Sequence, residues 1–404
     1  MSKKVVLSGW EIKLPSYKNF SMLSQSLIDK KRVRGEKYFS NDTMAVYYKF
    51  TNNPNVVKFF NKKIDFHKMI NEIIDSGLKK AKITREILIE RKVKIYLAGQ
   101  GARADLLDYQ GFYDKNDAED VACSPRIKKL HSNQYAQDYI SNKLFKDYQL
   151  NWPPISIYCA SNSALMATHI GYQEISYGAA DIVIILSWSD ILLQDVSFMD
   201  SQNMLAKEYA QPFSKYSDGV MLSAGYSVLI LENAEQAKKR VEQTSICINE
   251  SLFMQNNASR NSGGATFNFY TISKLILKTL DMSQYKPSDI GAIFIHGNGS
   301  IISDKAEAMA ITNVFKDFID IPILSYKGQI GYVSNCSGII DLMIMADCLN
   351  RGIIIPSVGA YPIDDALDLN FLSNKSIMPY CGKPMLKLGL GMDGSIIVMI
   401  LTTN

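Results

Sequence analysis

Cysteine is sparse in this chain, and the little there is lies scattered. Cys123, Cys159, Cys247, Cys336, Cys348 and Cys381 form no CxxC pair and have no histidines clustered with them. That excludes the common zinc spacings and a disulfide framework. Excess charge is missing too. The 44 basic and 40 acidic residues leave a net +4 at pH 7, too little to draw the chain to nucleic acid. No uncharged apolar run reaches the length of a membrane span, and the basic start of the chain carries only a very short apolar stretch, Val5-Val6-Leu7. Neither a membrane helix nor a secretory leader is expected, and a cytoplasmic location is. No mononucleotide fingerprint occurs, so neither NAD nor ATP is expected.

What is present suffices for a large folded body. The 404 residues are 47% hydrophobic, enough for two core-bearing halves or one large double layer. The stretch Val5-Val6-Leu7-Ser8-Gly9 reads as a buried strand closed by a glycine turn. Helical periodicity follows over 65–80 and a strand over 93–97. Residues 99 to about 133 have no clear period, but Leu106, Leu107, Tyr109, Phe112 and Tyr113 are too apolar for a disordered linker. A strand over 155–159, a helix over 161–177 and a strand over 181–186 form the clearest unit, with Gly178 where a helix should stop. A strand over 225–231 ends the first half. Strands over 246–248, 292–295, 323–324 and 395–401 alternate with helices over 270–280, 304–315 and 338–349. The pattern predicts an α/β chain in two pseudo-repeated halves, 1–243 and 244–404, with helices covering sheets.

Three stretches carry chemistry. The first is Ile155-Ser156-Ile157-Tyr158-Cys159-Ala160-Ser161-Asn162-Ser163, with Gly178 and Asp181 downstream. The second is His296-Gly297-Asn298-Gly299-Ser300 followed by Asp304 and Glu307; the third is Lys327-Gly328-Gln329-Ile330-Gly331-Tyr332 before Ser337-Gly338. These resemble the nucleophile turn, the His-Gly-Thr-Gly-Thr turn and the Lys-x-x-x-Gly-His motif of thiolase-fold β-ketoacyl synthases. Pro212-Phe213-Ser214 with Asp218-Gly219, and Gly389-Leu390-Gly391-Met392-Asp393-Gly394, add weaker matches to the family's Pro-Phe-Asp and Phe-Gly-Phe-Gly-Gly segments. The resemblance covers nearly the whole chain and implies a thiolase-like fold, a layered αβαβα sandwich.

The departures concentrate where the family's chemistry occurs. Counting back from Gly178 without a gap places Ser161 at the nucleophile position; Cys159 would need two residues inserted into a helix to serve. A serine there stays protonated at neutral pH, whereas a cysteine at a helix N-terminus gains thiolate character. A structural alternative for Ser161 is a helix N-cap. His296 aligns with the first of the family's two histidines, Tyr332 replaces the second, and Leu390 replaces a gating aromatic. Lys327 matches.

Two readings of the resemblance follow. One is a chain-length factor, the non-condensing subunit that pairs with an active ketosynthase and shapes a tunnel limiting a polyketide or polyene chain. Many of these carry glutamine at the position of Ser161. The other is a decarboxylating ketosynthase, which does use serine and turns malonyl on a carrier protein into acetyl, but which holds the thioester oxyanion with two histidines. Either implies an acyl carrier protein as partner, its phosphopantetheine arm carrying substrate, and no tightly bound cofactor or metal. The basic run Lys30, Lys31, Arg32 and Arg34 reads as a solvated face, or as a surface suited to such an acidic carrier. Tyr109, Phe112 and Tyr113 are candidates for tunnel lining, or for ordinary aromatic packing in a long loop.

Overall fold

The computed structural model describes residues 3–59, 66–99, 103, 105–107, 137–240, 246–256, 267–318, 320–364 and 369–403. Ten strands form its main sheet: β1 (Val5–Lys13), β2 (Val93–Ala98), β3 (Ile155–Ile157), β4 (Ile182–Ser189), β5 (Gly225–Asn233), β6 (Ile246–Gln255), β7 (Ala292–Phe294), β8 (Ile323–Leu324), β9 (Met385–Leu390) and β10 (Ser395–Thr403). Their β-branched runs suit burial on both faces. Along β4, Ile182, Ile184 and Leu186 enter one core while Val183 and Ile185 enter another, as the two-residue period of a strand requires.

The order across the sheet is β8-β7-β9-β10-β6-β1-β5-β4-β2-β3. β1 and β6 meet antiparallel at the centre through Val5 opposite Ile248. Outward from that seam the two halves run alike. The second strand out, β5 or β10, is antiparallel to both its neighbours, and the remaining three are parallel to one another. The duplication expected from pattern is therefore one of topology. Its expected junction, between residues 243 and 244, lies outside the described residues.

Six helices complete the layers: α1 (Phe66–Lys80), α2 (Gln137–Asp147), α3 (Ser163–Ser176), α4 (Phe269–Met282), α5 (Ile301–Phe315) and α6 (Ser337–Arg351). α1 and α2 cover the outer face of the first half, and α4 and α5 cover that of the second. α3 and α6 share a core with the inner faces of both halves. The result is the αβαβα order expected. The inner helices pack closely because glycine stands at the contact: a Cβ on Gly338 would lie 2.3 Å from Leu165 Cγ. No helix among the described residues is long and apolar enough to cross a membrane. Tyr109, Phe112 and Tyr113 lie outside the described residues.

Candidate active site

Ser161 sits in the turn between β3 and α3, just after Ala160 at φ +40°. The helix expected from residue 161 begins two residues later, and its N-cap is Asn162. Ser161 is therefore not the cap, which corrects that alternative. Asn162 does not cap through its side chain either; its Nδ2 donates to the carbonyl and the hydroxyl of Ser395, each at 3.0 Å. Ser161 Oγ instead accepts a hydrogen bond from the Tyr332 hydroxyl. The Tyr332 ring stands edge-on to His296, centroids 5.7 Å apart at 83°.

Three of the four residues singled out by sequence thus converge. Lys327 does not join them. It is buried with its Nζ on Asp341 and 3.5 Å from the Ile295 carbonyl. Leu390 closes β9, whereas the resembled Phe-Gly-Phe-Gly-Gly segment implies a loop there, and it lines a small cavity with His296 and Ser161. Gly389 is glycine for close approach, because a Cβ there would lie 2.4 Å from Leu165 Cδ1 and 2.6 Å from Asn162 Oδ1. Cys159 lies beside Ser395 and Asp393, and burial pushes its thiol up to about 11. It is no thiolate.

His296 follows β7, and its surroundings fix both its charge and its tautomer. The backbone N–H groups of His296 and Gly297 donate to the two Glu307 carboxylate oxygens at 2.6 and 2.8 Å. Asp304 accepts from the Phe213 and Gly299 N–H groups at 3.2 and 3.4 Å. Burial pushes Asp304 up to about 8, with Glu307 adding, and raises Glu307 itself. Asn298 is held by its Oδ1, which accepts from Ser300 N–H at 2.9 Å and from the Ser303 hydroxyl at 3.3 Å. Its Nδ2 therefore faces His296 Nε2, at 3.2 Å. An amide nitrogen only donates, so Nε2 accepts and the ring hydrogen sits on Nδ1. Burial holds the ring's pKa well below the usual histidine range, and the cations of Lys327 and Lys387 push it further down. The imidazole is neutral.

Lys387 and Asp341 belong to no motif read from the sequence. Lys387 Nζ donates to Asp341 Oδ2 at 2.6 Å and to the Ile295 carbonyl at 3.1 Å, so two buried lysines share one carboxylate oxygen. Burial pushes Lys387 down to about 8. Asn298, by contrast, was visible: it stands where the resembled turn has threonine, and only its consequence for His296 needed the structure.

Ser161 and Tyr332 stand between two cavities. One of about 20 Å³ holds His296, Asn298 and Leu390. The other, about 110 Å³, is lined among others by Arg103, Trp188, Asp190, Asp195 and Asn335. Arg103 Nη2 spans both Asp195 oxygens at 2.7 and 2.8 Å. The basic run is partly engaged elsewhere: Arg32 donates to the Gly328 and Ala210 carbonyls at 3.0 and 3.1 Å and stacks on Tyr209. Lys30 and Arg34 are exposed. Among the described residues no cluster of three His, Cys, Asp or Glu side chains could hold a metal ion.

Comparison with known proteins agrees with this architecture. The β-ketoacyl synthase N-terminal domain model matches residues 58–237, and the C-terminal domain model matches residues 248–360. Polyketide synthase PksR of Bacillus subtilis is 25% identical over 244 residues, 57% of this chain and 9% of that protein. Erythronolide synthase EryA2 of Saccharopolyspora erythraea is 23% identical over 245 residues, 58% of this chain and 7% of that protein. The chain thus spans a small part of the curated relatives it matches. Among solved structures, the oxazolomycin ketosynthase domain of Streptomyces albus JA3453 superposes with a TM-score of 0.84 at 14% identity, over 100% of this chain and 74% of that one. The ishigamide ketosynthase/chain length factor gives 0.82 at 17% identity over 100% of both. A type II acyl-carrier protein in complex with its ketosynthase gives 0.82 at 18% identity, again over 100% of both. The fold is thiolase-like, and the chain belongs to the β-ketoacyl synthase family.

Proposed function

We propose that this chain is a non-condensing partner of an active ketosynthase, a chain-length factor that completes a heterodimer and contributes to the tunnel in which a polyketide chain grows. One observation carries the reading: both groups that could hold a thioester oxyanion are already spent. The Tyr332 proton goes to Ser161 Oγ. His296 Nε2 accepts from Asn298 and has no hydrogen to offer a carbonyl. An oxyanion needs donors aimed at it, and losing one typically costs about a hundred- to a thousand-fold in rate. Ser161 fares no better as a nucleophile. Its neighbour is a phenol that burial pushes up to about 12, not a base able to take its proton.

Substrate would arrive on the phosphopantetheine arm of an acyl carrier protein, and the active nucleophile would lie on the partner ketosynthase. Solved neighbours described as a ketosynthase/chain length factor and as a ketosynthase bound to its acyl-carrier protein support these kinds of partner. The serine at the nucleophile position keeps malonyl decarboxylation as the competing reading.

The test uses the purified chain, alone and co-expressed with a neighbouring ketosynthase, mixed with malonyl-loaded carrier protein and followed by intact mass. The expected result is no acetyl carrier from the chain alone, and a one-to-one complex that makes polyketide. Conversion of malonyl to acetyl by the chain alone, abolished by Ser161→Ala or His296→Ala, would overturn the proposal in favour of the decarboxylase.

A further inference from the structure

Ser161, Met199, Tyr332 and Met392 line both cavities of the site, so these four side chains are the wall between them. Around the larger cavity, Phe198 is 50% exposed and the Arg103–Asp195 pair stands partly in solvent, whereas Tyr332 is 2% exposed. The open end of that cavity is therefore the side of Arg103 and Phe198, and its blind end is the wall. Tyr332 is held firmly in the wall. Its N–H donates to the Met221 carbonyl at 2.8 Å, and its carbonyl accepts from the Ser223 N–H at 2.9 Å. Its ring stands edge-on to His296. These backbone and ring contacts fix where the phenol points, and its hydroxyl closes the remaining gap to Ser161 Oγ. Met199 and Met392 are flexible fillers beside it. The histidine that the resembled motif has at this position carries a smaller ring with no hydroxyl beyond it. The span to Ser161 therefore exists because tyrosine stands here.

We infer that Tyr332 is a length stop: a chain entering the larger cavity from the Arg103 side ends at the Tyr332 ring, which keeps it out of the space beside His296. The inference rests on the reading that this subunit contributes to the tunnel, and it adds the residue that limits what the tunnel takes. Protein interiors are close-packed and yield little. A ring fixed at a blind end therefore sets a sharp limit, where a flexible side chain would set a soft one.

The test compares, by mass spectrometry, the polyketides made by the co-expressed complex carrying the wild-type chain, Tyr332→Ala or Tyr332→Phe. Tyr332→Ala opens the wall and should lengthen the main product by at least one ketide unit. Tyr332→Phe keeps the ring with its backbone and His296 contacts, and should keep the wild-type length. An unchanged length in Tyr332→Ala, or the same shift in both variants, overturns the inference. If Tyr332→Ala fails to fold, Met392→Ala thins the same wall and should also lengthen the product; an unchanged length there overturns the inference too. A crystal structure of the variant chain that folds gives a readout that needs no product. The two cavities should be one continuous space, and neighbours that collapse to keep them apart overturn the inference. A wild-type complex that makes no polyketide counts against the partner reading instead, and the crystal structure then still decides whether Tyr332 is the wall.

Discussion

If the missing thiolate alone silenced this site, Ser161→Cys should restore condensation. The structure argues otherwise. A cysteine at position 161 would stand one residue before the N-cap of α3, where helix N–H groups favour a thiolate. The Tyr332 hydroxyl, which now donates to Ser161, would then donate to that sulfur. The variant should therefore load acyl groups from thioesters, visible as a mass increment. Both oxyanion donors would still be occupied, one by the residue at 161 and the other by Asn298. At about 10²- to 10³-fold each, the two missing donors leave condensation or malonyl decarboxylation slower by roughly 10⁴- to 10⁶-fold than in a complete site. The triple variant Ser161→Cys, Asn298→Thr, Tyr332→His supplies an imidazole at 332 and a hydroxyl at 298 that can accept as well as donate. It should turn over malonyl carrier at least about a hundredfold faster than Ser161→Cys alone. The assay is acyl-enzyme formation and carbon dioxide release by mass spectrometry. The argument from spent donors is refuted if Ser161→Cys alone comes within tenfold of the triple variant.

The site's electrostatics offer further tests. His296, neutral and hydrogenated at Nδ1, should show the ¹⁵N shifts of that tautomer and no titration from pH 8 to 5; a ring that charges above pH 6 contradicts the network around Asn298 and the lysines. Asp341→Asn leaves Lys327 and Lys387 buried without their carboxylate and should destabilise by about 3–5 kcal/mol in urea unfolding, whereas Lys387→Met leaves one balanced pair and should be neutral or stabilising. If both variants cost the same, the shared carboxylate does not control this cluster. Asp304, raised to about 8, holds a proton in the folded state that the unfolded chain releases near 4, so its contribution to stability is lost as pH rises through that window. Asp304→Asn should therefore gain on the wild type by up to about 1.4 kcal/mol per pH unit between pH 4 and 8, and a pH-independent difference would remove the assignment.

How much of this was legible follows from where each signal lives. Strands such as β4 and helices such as α3 announce themselves through local periodicity and a glycine stop, and their bounds shift by only a few residues between expectation and structure. The αβαβα layering needed strand order, which periodicity does not encode; it emerges from the repeated pairing around β1 and β6. The resemblance of 389–394 to the family's Phe-Gly-Phe-Gly-Gly segment implies a loop, yet β9 continues to Leu390. Glycine at 389 answers a contact with Leu165 and Asn162 made by a distant helix. The resembled motifs point to Ser161, His296 and Tyr332, which the structure brings together. They could not find Lys387 or Asp341, whose meaning is a pairing across 46 residues inside a core, nor the orientation of Asn298, which Ser300 and Ser303 decide.

A site abandoned by selection would be expected to keep its catalytic geometry while its hydrogen bonds decay. This one differs. Ser161, His296, Asn298 and Tyr332 are joined to one another by Tyr332 to Ser161 and Asn298 to His296, and none of the four has an orphaned buried side-chain atom. A buried polar group left unpaired costs about 1–3 kcal/mol, a cost the four avoid by bonding to one another. Polar groups have therefore been matched to one another where a reaction would occur. That closure suits the proposed subunit, which would hold an acyl chain without reacting with it, whereas an enzyme must keep donors free to aim at a thioester.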